Sequence, residues 1–424
     1  MKTVKFFTLG CKVNQYDTQS IRQRFLDSGF KELENGMPAD IYVVNTCTVT
    51  HKADIDSYNL IRRTKRQNPG SKVIVTGCLV ENNAADLSRT KEVDFIISKR
   101  FFPDGVRDFT GRTRAFLKIQ DGCNNFCSYC KVPYARGRSR SRRGEEIINE
   151  ARHLVKRGFK EIVLSGICLG SYGRDIAGGT GLIDIIGELE KIDGLLRIRL
   201  SSIEPDDVSD ALIEKIAVSK KLCPHLHIPL QSGDDSILKA MRRNYRRDFY
   251  LNLAAKIRKL IPQAAITTDV LVGFPGESEN NFANTINLVK EILPLKVHIF
   301  PYSARQEAAS AKFSKNEIAG DIIRQRIHVL NKAAEKTAFI FKKSFLGSAV
   351  SALMEVKSKD MRGFYEGYTG TYIKVVVKSD ADIRNKLVKV RLLQGLDSRI
   401  LGSLLNFTGY NCITPTLDNS PKLG

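Results

Sequence analysis

Gln120-Asp121-Gly122-Cys123-Asn124-Asn125-Phe126-Cys127-Ser128-Tyr129-Cys130-Lys131 is the stretch from which the rest of this chain is best read. Its cysteines, Cys123, Cys127 and Cys130, follow the spacing C-x3-C-x2-C, with small or flexible neighbours that let one loop wrap a compact metal centre. No fourth cysteine follows nearby. A structural zinc site wants four closed ligands, usually from two separated pairs, whereas iron–sulfur clusters are held by thiolates in runs like this one. Three ligands on a four-iron cube leave one iron open to bind something else, which suits a catalyst better than an electron carrier.

The spacing, with aromatic Tyr129 just before the last cysteine, resembles the signature of the radical S-adenosylmethionine enzymes. The resemblance implies that the open iron chelates S-adenosylmethionine, that Tyr129 lies near its adenine, and that the cofactor supplies a radical able to take hydrogen from an unactivated carbon. Working outward, strands and helices alternate. Candidate strands are 115–119, 161–164, 197–200, 225–229, 265–271 and 296–300, six βα-type units that make an open (β/α)6 partial TIM barrel. Function in such a barrel sits at the carboxyl ends of the strands. Polar and glycine clusters fall there in succession: the cysteine loop, Ser165-Gly166, Ser201-Ser202-Ile203-Glu204, Gln231-Ser232-Gly233, Asp269 with Gly273-Phe274-Pro275-Gly276-Glu277, and Pro301-Tyr302-Ser303. They read as a pocket for S-adenosylmethionine lined by Tyr129, Ser165, Gly166, Ser201, Ser202, Glu204, Gln231 and Asp269.

Upstream lies a repeat. Val4-Lys5-Phe6-Phe7-Thr8-Leu9-Gly10-Cys11, Ile41-Tyr42-Val43-Val44-Asn45-Thr46-Cys47 and Lys72-Val73-Ile74-Val75-Thr76-Gly77-Cys78 each read as a buried strand, a small residue, then cysteine. Helices are expected over 15–28, 52–67 and, more weakly patterned, 82–90. A parallel sheet places Cys11, Cys47 and Cys78 at one edge, where they read as ligands of a second cluster. A single cysteine is more often a small buried hydrophobe. Three at equivalent places in a repeat are not.

Arg136, Arg138, Arg140, Arg142 and Arg143 follow the cluster loop directly and read as phosphate contacts. A second basic run, Lys239 to Arg247, is balanced between a solvated face and RNA. The chain carries 67 Lys plus Arg against 46 Asp plus Glu, a formal charge of +21 that favours a polyanionic partner. Nine cysteines, an odd number in a chain of 424 residues, argue against a disulfide-stapled secreted domain and for a reduced cytoplasm. No apolar run approaches the ~20 residues of a membrane span. After a closing helix over 318–341 the pattern changes to alternating strands over 350–355, 371–378 and 387–393, with Gly363, Gly367 and Gly370 at turns. That is a small β-barrel of a kind that often binds RNA.

Thr8-Leu9-Gly10-Cys11-Lys12-Val13-Asn14-Gln15-Tyr16-Asp17-Thr18 and Val44-Asn45-Thr46-Cys47-Thr48-Val49-Thr50 resemble the amino-terminal domain of the methylthiotransferases. Arg138-Ser139-Arg140-Ser141-Arg142, Leu200-Ser201-Ser202-Ile203-Glu204-Pro205, His227-Ile228-Pro229-Leu230-Gln231-Ser232-Gly233 and Val272-Gly273-Phe274-Pro275-Gly276-Glu277 resemble their radical domain, and the last segment their TRAM domain. The resemblance implies an α/β chain divided into a methylthiotransferase domain (1–108), a radical domain (109–341), a TRAM RNA-binding barrel (342–407) and a tail (408–424). It also implies two 4Fe–4S clusters, S-adenosylmethionine, a tRNA substrate and an electron donor such as flavodoxin or ferredoxin.

Gly10-Cys11-Lys12-Val13-Asn14-Gln15 looks most like the branch acting on N6-threonylcarbamoyladenosine at position 37 of tRNA. The alternatives are isopentenyladenosine in tRNA and an aspartate of a ribosomal protein. Cys168, Lys131 and the Ser303-Ala304-Arg305-Gln306 run depart from the family pattern. A cobalamin-dependent methylase would need an Asp-x-His-x-x-Gly loop, which the chain lacks. An RNA-binding protein with purely structural clusters would not need the succession of loop motifs.

Overall fold

The computed structural model describes residues 2–405 except Asn35, 100–104, Gln306 and Asp397. The expected tail and part of the expected connector around Pro103 lie outside the described residues. The chain divides into two compact units, Met1–Phe341 and Lys342–Gly424.

The first unit opens with β1 (Thr3–Thr8), α1 (Lys12–Asp27), β2 (Lys31–Glu32), β3 (Ile41–Thr46), α2 (His51–Gln67), β4 (Lys72–Gly77), α3 (Cys78–Ser88) and β5 (Phe95–Ile96). The five strands form one parallel sheet in the order β2-β1-β3-β4-β5. β3 and β4 are buried along nearly their whole length, as expected of parallel strands covered on both faces, which is why their sequences run apolar rather than alternating. α1 and α3 start three and four residues earlier than the periodicity suggested, because each begins at its cysteine, whereas α2 starts within one residue of the expected place. Cys11 is the N-cap of α1 and Cys78 the first residue of α3. Gly10 and Gly77 both sit at φ +100°, and a Cβ on Gly77 would lie 2.5 Å from the Thr46 carbonyl oxygen. Glycine is therefore required where the chain leaves β4 and turns into α3.

The barrel follows: β6 (Arg114–Lys118), a short β7 (Gln120–Asp121), α4 (Val132–Arg136), β8 (Arg140–Ser141), α5 (Gly144–Lys156), β9 (Glu161–Ser165), α6 (Leu182–Glu190), β10 (Arg197–Leu200), α7 (Asp210–Val218), β11 (His225–His227), α8 (Asp235–Ala240), α9 (Arg247–Leu260), β12 (Ala265–Val272), α10 (Glu279–Ile292) and β13 (Lys296–Pro301). Two parallel three-stranded sheets, β6-β9-β10 and β11-β12-β13, are joined by a parallel bridge between Ser202 and His227. Six parallel strands thus make the open barrel that the sequence suggested. α11 (Gly320–Lys343) closes it, its Arg326 donating to the Glu277 carboxylate at 2.9 Å while Gly273 N–H donates to the same oxygen. Glu277 therefore fastens the Gly-Phe-Pro-Gly-Glu turn to a helix. At the amino-terminal ends of the strands Glu161 is fully buried and accepts from Arg199 at 2.7 Å, a charge pair that marks the structural end of the barrel.

The second unit holds β14 (Ala349–Lys357), β15 (Phe364–Thr369), β16 (Lys374–Lys378), β17 (Leu387–Leu396) and β18 (Arg399–Leu404), a closed barrel in the order β14-β15-β16-β18-β17. Two of these strands, β15 and β18, were not expected. Gly367, expected at a turn, lies inside β15, where a Cβ would stand 2.2 Å from the Leu353 carbonyl oxygen. It marks a close crossing of two strands.

Candidate active site

Every cysteine read as a ligand lines a single cavity. Cys11, Cys47 and Cys78 come from the carboxyl ends of three adjacent strands, β1, β3 and β4. Cys123, Cys127 and Cys130 come from the loop after β7, and both trios border a volume of about 580 Å³. All six are free thiols. Asn14 ties the first trio together, donating to the carbonyls of Leu9 at 2.7 Å and Thr46 at 3.0 Å while accepting from the Cys78 thiol at 3.7 Å. The resemblance quoted Asn14 as part of a motif; its structural task becomes legible only once the strands are adjacent.

The donor sets fit polynuclear clusters better than single ions. Among the described residues only His227, Asp269 and His298 bring three ligating atoms within 4.8 Å of one another. Neither cysteine trio is drawn that tight, whereas thiolates around one zinc at ~2.3 Å lie under about 4 Å apart. Burial raises the thiol of Cys47 to about 11 and that of Cys130 to about 12. Metal binding there must displace protons. Cys123 is lowered to about 7, first by a hydrogen bond from Cys168.

The pocket residues expected from the sequence, Tyr129, Ser165, Gly166, Ser201, Ser202, Glu204, Gln231 and Asp269, all line this cavity. Tyr129 packs against the apolar cluster of Ile237, Met241, Leu271 and Phe274. A Cβ on Gly166 would lie 2.9 Å from Gln120 Oε1, so no side chain fits there. The Ser201 hydroxyl is buried and has no hydrogen-bond partner among the described residues, an acceptor and donor left for a ligand. Ser165, by contrast, turns its hydroxyl back to the Val163 carbonyl at 3.2 Å. Burial raises the Glu204 carboxyl against the pull of Arg243, which bonds it.

Arg243 also donates to Cys127 Sγ at 3.3 Å, with only 4% of its side chain exposed. In sequence it belongs to a basic run whose pattern suits a solvated face as well as RNA. Tyr245 is the retrospective signal, since its ring lies 5.0 Å from the guanidinium and its hydroxyl is buried against the carbonyls of Pro229 and Leu230. His227, quoted only as the start of a motif, and His298, which no motif includes, both line the cavity.

Two of the five arginines read as phosphate contacts are internal. Arg136 is buried and bonds Asp121 at 3.0 Å, Asp17 at 3.0 Å and Asn14. Arg142 bonds Glu150 at 2.8 Å, Tyr16 and the Lys118 carbonyl. These assignments are corrected: α1, β6, β7 and α5 supply their partners, and the sequence could not show which arginines those acids would claim. Arg138, Arg140 and Arg143 are exposed. Lys131, a departure from the family pattern, is also explained: it is buried and pairs with Glu307 at 2.9 Å. Arg305, in the other departing segment, bonds the Thr48 hydroxyl at 3.0 Å and Asp54 at 2.5 Å, bracing the loop after Cys47.

Cys168 does not line the cavity. Its thiol lies 3.6 Å from Asp207 and 4.0 Å from the Asn125 amide. Replacing it by Ser, which is close in size and keeps a hydroxyl donor beside Cys123, is expected to leave the iron bound per chain unchanged within about a tenth and methylthiolation within about twofold, because the hydrogen bond is kept and no new volume enters the buried site. Loss of a whole cluster's iron would enlist Cys168 as a ligand.

With the geometry in place, comparison with known proteins is direct. Residues 117–289 match the Radical SAM superfamily, and residues 3–98 match an uncharacterized family described as UPF0004. The chain belongs to the radical S-adenosylmethionine methylthiotransferases, whose cofactors are S-adenosylmethionine and 4Fe–4S clusters. It is 38% identical, over 93% of its length and 94% of the relative's, to the threonylcarbamoyladenosine tRNA methylthiotransferase MtaB of Bacillus subtilis (strain 168). The tRNA-2-methylthio-N(6)-dimethylallyladenosine synthase of Carboxydothermus hydrogenoformans is 35% identical over 93% of this chain and 97% of its own. Among solved structures, the radical S-adenosylmethionine methyltransferase TsrM of Kitasatospora setae shares the fold at a TM-score of 0.52 and 12% identity, covering 71% of this chain and 75% of that one. Among the described residues no helix is long and apolar enough to cross a membrane.

Proposed function

We propose that this chain places a methylthio group on C2 of N6-threonylcarbamoyladenosine at position 37 of tRNA, in the cytoplasm. The observation that carries the reading is the meeting of two free cysteine trios on one cavity. The substrate follows the Bacillus subtilis relative, whose name specifies threonylcarbamoyladenosine. Cys123, Cys127 and Cys130 would hold the cluster that binds S-adenosylmethionine, and Cys11, Cys47 and Cys78 the cluster that bears the sulfur. When bound, these groups supply a radical able to take hydrogen from an unreactive aromatic carbon, and the methylthio group that replaces it.

The chain's own residues exclude, orient and anchor. Gly166 lets Gln120 pack against the loop after β9, and the Ser201 hydroxyl, unpartnered among the described residues, offers a polar anchor. Arg243 holds Glu204 in place and donates to Cys127 Sγ; burial raises the Cys127 thiol, and the positive charge of Arg243 opposes that rise. Tyr129 fills one wall. Exposed Arg138, Arg140 and Arg143, together with the barrel of β14 to β18, are assigned to tRNA phosphates, and flavodoxin or ferredoxin to electron supply.

Nucleoside mass spectrometry of tRNA from cells with and without the gene tests the reading. The 2-methylthio derivative of N6-threonylcarbamoyladenosine should disappear with the gene. Loss of the isopentenyl counterpart instead would assign the chain to the other tRNA branch.

A further inference from the structure

The barrel wall built by β11, β12 and β13 carries a hydrogen-bonded chain of side chains that centres on Asp269, one of the residues of the expected S-adenosylmethionine pocket. His225 Nε2 lies 3.0 Å from the Thr267 hydroxyl, which lies 2.9 Å from His227 Nδ1. His227 Nε2 is 3.2 Å from Asp269 Oδ1, and the same oxygen is 3.1 Å from His298 Nδ1. An ionised carboxylate only accepts, so both imidazoles present N–H to Asp269. Burial works to raise Asp269, but the bonds from the two histidines hold it well below the ordinary carboxylate range. With Nδ1 turned to Asp269, His298 leaves its Nε2 without a hydrogen bond among the described residues.

That free nitrogen is at the cavity. His298 lines it with 38% of its side chain exposed, and among the described residues Nε2 makes no hydrogen bond. Side chains two apart on a strand share a face, and Phe300, also on the cavity wall, is 44% exposed. An exposed aromatic ring beside an imidazole suits a planar base carrying an anionic substituent. Other cationic groups on the wall are already paired: Arg136 with Asp17 and Asp121, Arg243 with Glu204, Lys131 with Glu307. Lys12 also lines the cavity, one residue from Cys11.

We propose that His298, oriented by Asp269, binds the carboxylate carried by the N6 substituent of the substrate adenosine while Phe300 supports the base. The inference rests on the proposed substrate. Asp269 is a positioning residue: it fixes the ring so that Nε2, protonated, meets the carboxylate with a charge-assisted hydrogen bond. A metal ion at the same three side chains is a poorer reading, because the three ligating atoms are already bonded to one another.

The test uses the full chain, reconstituted anaerobically with iron and sulfide. Its substrates are two forms of one tRNA, with the threonyl group as free acid or as methyl ester. For the wild type, kcat/KM should favour the acid roughly ten- to hundredfold, the scale of one charge-assisted hydrogen bond. In His298→Phe that preference should fall to near unity, with the loss on the acid mostly in KM. Asp269→Asn should lie between. Should His298→Phe fail to take up iron, His298→Gln, close in size and uncharged, takes its place. Unchanged discrimination in the His298 variants overturns the proposal, as does discrimination that disappears only in Lys12→Met. A wild type that methylthiolates both forms equally also overturns it while leaving the substrate assignment intact. A wild type inactive on threonylcarbamoyl tRNA but active on isopentenyl tRNA overturns the assignment itself.

Discussion

Replacing Cys123, Cys127 and Cys130 together by Ala should abolish cleavage of S-adenosylmethionine to 5'-deoxyadenosine while leaving roughly half of the iron bound, by ligand counting. The trios come from different sheets: one hangs from β1, β3 and β4, the other from a loop held by Gly137 and Met241, through bonds of 3.1 Å from Cys123 N–H and 3.0 Å from Ser128 N–H. Neither needs the other's thiols to close its own site. The reciprocal triple variant of Cys11, Cys47 and Cys78 should keep the cleavage activity and the other half of the iron, but transfer no methylthio group. Iron analysis with a 5'-deoxyadenosine assay reads both. Complete loss of iron in the first variant would mean one shared cluster, and the separate reading of the trios would fail.

The architecture was legible where a pattern recurs. Three strand–small–Cys units gave the first sheet, because buried parallel strands have a simple apolar signature and each cysteine occupies the same place in its unit. The barrel strands were legible for the same reason, and their boundaries moved by few residues. What could not be read was pairing across the fold. His298 and Asp269 are on different strands, and nothing in Val297-His298-Ile299 says that a carboxylate on the preceding strand will stand in register with the ring and fix it. Arg243 sits in a basic run that looks like a solvated face until Glu204 and Cys127 are placed beside it. Gly367 resembles a turn residue because sequence does not reveal how closely β14 passes. A local pattern reports the exposure of a segment; the partner of a buried charge depends on long-range contacts.

The same distinction separates neighbours in the arginine run, with opposite outcomes expected for Arg136 and Arg138. Only 1% of the Arg136 side chain is exposed, and its guanidinium spans Asp17 of α1, Asp121 of β7 and Asn14, the residue that also ties the Cys11 and Cys78 loops. Lys118 remains nearby, 2.6 Å from Asp17 and 3.5 Å from Asp121, but cannot replace a fork that reaches both carboxylates and the Asn14 amide. Arg136→Met therefore leaves buried acid charge undercompensated, and removing one partner of such a network costs about 3–5 kcal/mol. The expected result is a large fall in chemical-denaturation stability and lower iron retention, since the damage lies between the two cysteine trios. Arg138→Met, at an exposed position, should change stability by no more than about 0.5 kcal/mol. It should instead weaken tRNA binding and reduce the slope of log affinity against log salt by about one unit. Denaturation curves and salt titrations on the two variants decide the matter: equal stability for both would show that the Arg136 network is dispensable, and an unchanged salt slope in Arg138→Met would remove that side chain from the tRNA contact.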